Sequence, residues 1–230
     1  WRRVKLYFMI GLPTETDEDV AAIGRLCEEV VRFGRRMRIA NVSVTASVAG
    51  FVPKPHTPFQ WRPQDTIAEL LRKQALLKSC VRERAVRLKF HDPRITHVQG
   101  VLARGGRSAA RAIERAVRLG GGFGAWDSHF SFERWTRAFE AAGVNPELVA
   151  NRRRGYHEPL SWDHIDCGVN KGYLRAEDKR AEAGMLTEDC RAGRCSFCQA
   201  CDRWLSERRS TSKHVTKARE GAHGSIRQRS

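Results

Sequence analysis

No run of about 20 apolar residues, the length a helix needs to cross a bilayer, occurs in this 230-residue chain. No secretory signal is legible either. Carboxylates are scarce: 26 Asp and Glu stand against 42 Lys and Arg, a formal net charge of +16. Such a balance draws a protein to polyanions, RNA first among them; arginine-rich coding sequence of high GC content gives the same balance without that meaning. Cysteine is sparse outside one stretch, with 7 in all. An odd total with one tight cluster argues against a secreted disulfide framework and for a reducing cytosol. The expectation is a cytoplasmic protein with no membrane partner. No internal repeat is present. What is there is enough apolar material, 41% of residues, to bury a core without staples. The length allows one large domain, or one domain with appendages.

Val4 to Ile10 is a nearly continuous apolar run bounded by Gly-Leu-Pro. That pattern predicts a strand buried on both faces, as in a parallel sheet. A helix is expected over Thr16–Phe33, with Thr16 as N-cap and Asp17, Glu18 and Asp19 loading its first turn. Val20, Ile23, Cys27, Val30 and Val31 form its buried stripe and Gly34 its end. Ile39–Ser47 reads as the next strand, which makes a βαβ unit. Residues 50–63 hold four prolines and read as a loop. Thr66–Arg87 reads as a long basic helix and Arg87–His91 as one more short strand. From Pro93 on the pattern is helical, with amphipathic stretches at 107–119 and 131–142 flanking a glycine-rich segment, and a further helix near 170–183. Residues from about 205 are polar, basic and aperiodic, the composition of a disordered tail. The chain opens on Trp1 and meets its first strand within three residues, which reads as the interior of a longer chain.

The stretch DCRAGRCSFCQAC places Cys190, Cys195, Cys198 and Cys201 at C-x4-C-x2-C-x2-C. Four thiolates so spaced can close on one tetrahedral zinc ion or on one iron–sulfur cluster, and both metals select sulfur. Three closely set cysteines with a fourth nearby resemble a ferredoxin loop more than paired zinc knuckles. Free or redox-active thiols are the third reading. Arg191, Arg194 and Arg203 flank the group and could stabilise thiolates. Elsewhere, His91 ends a predicted strand, where a side chain can face a substrate; His56 in the proline loop is similar. His164 and Cys167, in SWDHIDCGV, are candidates for an extra ligand or a proton donor. Against them stands an ordinary tight loop with Asp capping and a buried Trp162. Trp126, His129, Phe130, Phe132 and Trp135 form an aromatic patch, for core packing or for base stacking. Cys27 and Cys80 sit singly in predicted helices and read as small buried hydrophobes.

KLYFMIGLPTETDED, followed one helix later by NVSVTASVAGFVPKPHTPFQW, resembles the second half of a radical S-adenosylmethionine barrel. The branch it resembles contains tRNA methylthiotransferases and enzymes with an attached cobalamin-binding domain. LKFHDPRITHVQGVLARG, HFSFERWTRAFEAAG, PLSWDHIDCGV and the closing cysteines resemble one uncharacterised cobalamin-linked group within it, so the resemblance covers residues 1–203. It implies an α/β fold: the carboxyl-terminal strands of a partial, TIM-like (β/α) barrel over 1–91, a mainly helical extension over 92–184, a four-cysteine metal module over 185–204 and a basic tail over 205–230. It implies that Gly11, Pro13, Glu15 and Thr16 help seat S-adenosylmethionine, and that Pro53, Thr57 and the rest of the loop to Phe59 line its adenosine side or the substrate mouth. It favours an auxiliary iron–sulfur cluster over zinc at the four cysteines, a reductant such as a ferredoxin or flavodoxin, and cobalamin as a further cofactor. One departure is plain: the C-x3-C-x2-C triplet that holds the family's catalytic [4Fe–4S] cluster is absent from this sequence. The implied role is therefore the carboxyl-terminal part of such an enzyme, inactive alone, acting in methyl transfer or RNA modification. The reading from another class is a non-catalytic RNA-binding module with a zinc knuckle.

Overall fold

The fold is given by a computed structural model that describes residues 1–122, 129–190 and 195–201. The chain forms two units, Trp1–His164 and Ile165–Ser230. The first begins with strand β1 (Arg3–Ile10), helix α1 (Asp17–Arg36) and strand β2 (Ser43–Gly50). A single 3-10 turn (Pro58–Trp61), helix α2 (Ile67–Cys80) and strand β3 (Val86–Phe90) follow. The strands make one parallel sheet in the order β1-β2-β3, with Arg3 opposite Ser43 and Val44 opposite Val86. The α/β class and the parallel pairing of the first two strands are as expected from the sequence. Helices α3 (Pro93–Arg104), α4 (Arg107–Arg118), α5 (Phe132–Ala141) and α6 (Pro146–Ala150) complete the first unit. Among the described residues the second unit has one helix, α7 (Lys171–Glu182). No helix of the described residues is long and apolar enough to cross a membrane.

Alternation decides how the sheet is covered. Val4, Leu6, Phe8 and Ile10 of β1 join Val44, Ala46 and Val48 of β2 in a cluster with Val20, Cys27 and Val31 of α1 and Leu70 and Leu77 of α2. The alternate residues of β1 face away, and Tyr7 is 72% exposed. β1 is thus open on one face rather than buried on both. The apolar run concealed this because Lys5 and Tyr7 are amphipathic and interrupt it only weakly. Cys27 is fully buried, and burial pushes its thiol pKa up, as suits a small core hydrophobe.

Three other expectations shift. Gly34 does not end α1, which runs on to Arg36. A Cβ at position 34 would lie 2.7 Å from Val42 Cγ2, so this glycine serves the close approach of the chain entering β2. The helix is closed instead by Arg38 at φ 55°, while Ile39 N–H donates to Gly34 O. The long basic helix ends at Cys80, seven residues early. The proline loop contains one 3-10 turn, admitted because Pro58 sits at its first position, where no N–H is needed.

A second core lies among α3 to α6: Val98, Val101, Ala112, Phe139, Val144 and Ala150, with Phe130, Phe132 and Trp135 against them. These aromatics pack; Trp126 lies outside the described residues. The expected boundary at 91–92 falls inside the first unit, where buried polar side chains tie the segment after the 3-10 turn to the later helices. Gln64 donates to Phe51 O and Thr96 O at 3.1 and 2.9 Å. Asn151 donates to Gln64 O and Asp65 O. The Arg104 guanidinium donates to the carbonyls of Val149, Arg62 and Arg152.

On the rim, both nitrogens of the Arg152 fork donate to Glu158, whose carboxylate also accepts from Gly155 N–H. Hydrogen bonding from Arg152, acting against burial, holds the Glu158 carboxyl down at about 2. A depressed carboxylate stabilises the folded state above its unfolded pKa, about 4.3, and loses that contribution as pH falls through the folded value. Solvent screens this part-exposed pair, so Glu158→Gln is expected to cost less than about 1 kcal/mol at pH 7. The same change should flatten the decline in stability between pH ~4.5 and ~2. Urea titrations of both proteins across that window check it; parallel acid limbs would show that the pair contributes nothing.

Candidate functional site

The turn after β1 is held by a buried ionic knot. Gly11 takes φ 84°, and its N–H donates to Glu15 Oε1 at 2.8 Å. Both its sign of φ and its surroundings require glycine, because a Cβ there would stand 3.0 Å from Asp65 Oδ2 and Leu70 Cδ2. Lys73, projecting from α2 and only 5% exposed, places Nζ 2.9 Å from Glu15 Oε1 and 2.8 Å from Asp65 Oδ2. Burial lowers the lysine pKa, but the bonds to Asp65 and Glu15 outweigh it and hold it above the ordinary value. Thr16 is the N-cap of α1 and forms a reciprocal capping box with Asp19. Glu15 and Thr16 thus build the turn; Leu12, Thr14 and Thr16 are exposed, Thr14 at φ 67°. Gly11 is buried and Pro13 half-buried.

At the carboxyl end of the sheet the proline loop closes onto this turn, with Phe51 N–H donating to Ile10 O at 2.8 Å. Pro53 is buried, whereas Thr57, its hydroxyl bonded to Lys54 O, lines a cavity of about 380 Å³. Met9, Phe51, Val52 and Phe59 make that cavity's wall apolar, with the Phe51 and Phe59 rings edge to face at 5.8 Å. Lys54 and Gln99 supply its polar groups. A second cavity, of about 430 Å³, opens at the end of β3 and is lined by His91, Asp92, Arg94, Phe130 and Gln99 among others. His91 is exposed and fixed through its backbone, N–H to Val48 O and O to Gln74 Nε2. Arg94 bonds Asp92 and holds its carboxyl below the usual range. Both cavities are of ligand size.

Gln99, which lines both cavities, was not singled out in the sequence. Its signal was there in part. Asp92-Pro93 is an N-cap followed by proline at N1, which sets the helix register, and Gln99 stands two turns beyond Asp92 on the same side.

His164 and Cys167 are exposed, and neither lines a cavity described above. The local structure of SWDHIDCGV is that of a capped loop. Leu160 N–H donates to Asp163 Oδ2, Gly168 N–H to Asp166 Oδ1, and buried Trp162 donates to Gln60 Oε1 at 2.6 Å.

In the second unit Cys190, Cys195 and Cys201 are exposed thiols and Cys198 is half-buried. Phe197 N–H donates to Cys195 Sγ at 3.4 Å, and Phe197 and Gln199 take φ 55° and 68°. Asn170 anchors the loop to the start of α7, its N–H donating to Cys198 O at 2.9 Å while its side-chain oxygen caps the helix. Among the described residues no three or more His, Cys, Asp or Glu side chains are gathered at metal-ligand geometry. Residues 191–194, between the first two cysteines, lie outside the described residues, as do Arg191, Arg194, Arg203 and the expected tail from 205. By donor type alone, four thiols are the set that soft metals select.

No family model matches the chain, and no solved structure does. The chain is similar to an uncharacterised protein of Methanocaldococcus jannaschii, 27% identical over 147 residues, which are 64% of this chain and 31% of that protein. The match thus spans less than a third of the relative's length.

Proposed function

We propose that this chain is the carboxyl-terminal part of a radical S-adenosylmethionine enzyme that acts in the cytoplasm on an RNA or another substrate. One observation carries the reading. The Gly-x-Pro-x-Glu-Thr turn and the proline loop leave the carboxyl ends of neighbouring parallel strands beside ligand-sized cavities, the end at which parallel α/β folds bind ligands. In this reading the strands belong to a partial barrel. Lys73, Glu15 and Asp65 hold the first turn rigid, Phe51 and Phe59 offer an apolar wall to the adenosine side, and Gln99 and His91 face the substrate side. The cofactor when bound supplies radical chemistry; the part of these residues is to orient it and exclude water. Cobalamin, if used, and the catalytic [4Fe–4S] cluster would be held by other parts of the protein, since the triplet for that cluster is not in this sequence. A ferredoxin or flavodoxin would supply electrons.

The coding frame upstream of Trp1 tests the reading. C-x3-C-x2-C in frame is the expected result; a stop codon followed by a start close to Trp1 would overturn it.

The four cysteines are proposed to hold an auxiliary iron–sulfur cluster. Chain purified without oxygen should carry roughly four irons and four acid-labile sulfides and absorb near 400 nm, and Cys198→Ser should lose most of that. One zinc and no sulfide would make the module a structural knuckle and raise the RNA-binding reading over the enzymatic one.

A further inference from the structure

We infer that the amino-terminal end of the sheet, opposite the cavities described above, binds a phosphate group. A pocket of about 360 Å³ opens there, lined by Arg3, Arg84 and Arg87 with Ser43 and Thr45. The three arginines come from the start of β1, the turn before β3 and β3 itself. All three are exposed, and among the described residues no carboxylate lines the pocket. The nearest carboxylate in sequence, Glu83, is engaged by Arg35 at 2.7 and 2.9 Å and by Ala85 N–H. The acidic side chain that could have neutralised Arg84 is therefore committed elsewhere.

Strand register explains the convergence. Arg3 pairs with Ser43, and Thr45 stands between Lys5 and Arg87. Adjacent strands lie about 4.8 Å apart, so cations from the two outer strands flank the hydroxyls of the middle one. Guanidinium forks and hydroxyls together match the oxygens of a phosphate. The basic character continues along the same face, where Ser47 stands between Tyr7 and Lys89. Three clustered arginines, none paired with a carboxylate among the described residues, repel one another, and an anion bound among them relieves that repulsion. A phosphate could belong to a small phosphorylated molecule or to a polynucleotide; the chemistry at the pocket is the same.

The test is independent of the radical-enzyme reading. Inorganic phosphate is titrated into the 230-residue chain at low ionic strength, and binding is read from 31P line broadening. The expected result is saturable broadening that weakens about tenfold or more in the double variant Arg84→Ala/Arg87→Ala. Both side chains are outside the core, and an unchanged circular dichroism melt confirms that the variant folds. The control Arg32→Ala/Arg111→Ala removes the same charge from two helix surfaces and should leave binding intact. Broadening that fails to saturate, or a control as weakened as the pocket variant, would overturn the site. A second titration with oligouridylate of twelve nucleotides identifies the source. Binding at least a hundredfold tighter than phosphate, weakened by Lys5→Ala/Lys89→Ala, assigns the group to a polynucleotide. Binding no tighter than phosphate, lost with Arg84 and Arg87, assigns it to a small molecule.

Discussion

Replacing Lys73 with methionine is expected to destabilise the first unit by about 3–5 kcal/mol, the usual cost of breaking a buried ion pair by removing one partner. Among the described residues the ammonium is the one cation within 4 Å of both Glu15 and Asp65. Methionine preserves the stem and its packing but leaves the nearly buried Glu15 carboxylate facing Gly11 N–H alone. Two outcomes distinguish charge from shape. Glu15→Gln in the methionine background should recover a large part of the loss, because a neutral amide is cheaper to bury than an unpaired carboxylate. Lys73→Arg should not restore wild-type stability, since the guanidinium is larger than the space around Nζ was built for. The pH dependence has a definite sign. The folded-state pKa of Lys73 is raised, so its contribution is complete below the unfolded value, about 10.4, and is lost as pH rises through the folded one. Urea unfolding of the three variants measures all of this. A methionine variant within about 1 kcal/mol of wild type would show that the knot does not hold the turn.

Arg104→Met is expected to have an effect of similar size for a different reason. Arg104 is 1% exposed and donates to three carbonyls from two segments far apart in sequence, while its own carbonyl accepts from Arg154. Burial first, and then the charges of Arg154 and Arg152, pull its pKa down to about 10, so it stays charged at neutral pH. Removing the guanidinium orphans the carbonyls of Arg62, Val149 and Arg152, each costing about 1–3 kcal/mol if water does not reach it. A net loss of about 3–5 kcal/mol follows, with a fall in Tm of about 6–20 °C for a domain of this size. Trp61, 1% exposed, reports the event, because its carbonyl accepts from Arg154 N–H at 2.9 Å. Its fluorescence should redden at lower temperature in the variant. Arg111→Met, on the exposed side of α4, should shift stability by no more than about 0.5 kcal/mol. Equal stability of the Arg104 variant and wild type would mean that water replaces the guanidinium at all three carbonyls.

Local signals in the sequence located the elements whose ends are set by side-chain chemistry. Thr16 with Asp17, Glu18 and Asp19 marked the start of α1 because a hydroxyl and carboxylates satisfy free N–H groups there regardless of what packs outside. The stripe Val20, Ile23, Cys27 and Val31 was legible for the same reason: a 3.6-residue period is a property of one helix. The turn at Gly11 and the loop at Pro53 could be recognised, but what they do could not. That Glu15 meets Lys73 could not be read, because Lys73 lies 58 residues later in the chain. Gly34 read as a helix end because its role depends on Val42, which only the packing of α1 on the entry to β2 brings close.

The sequence by itself determined the α/β class, the first parallel βαβ unit and the four-cysteine spacing, since each rests on periodicity, capping or spacing within a few residues. The tertiary structure decided which face of the sheet is covered, and hence that Arg3, Arg84 and Arg87 converge on an open pocket. It decided that Lys73, Asp65 and Glu15 meet, that Arg104 joins segments 42 to 48 residues distant, and that Gln99 stands between two cavities. These depend on register and packing between segments far apart in the chain, and residue type alone does not encode which partner a buried charge will find.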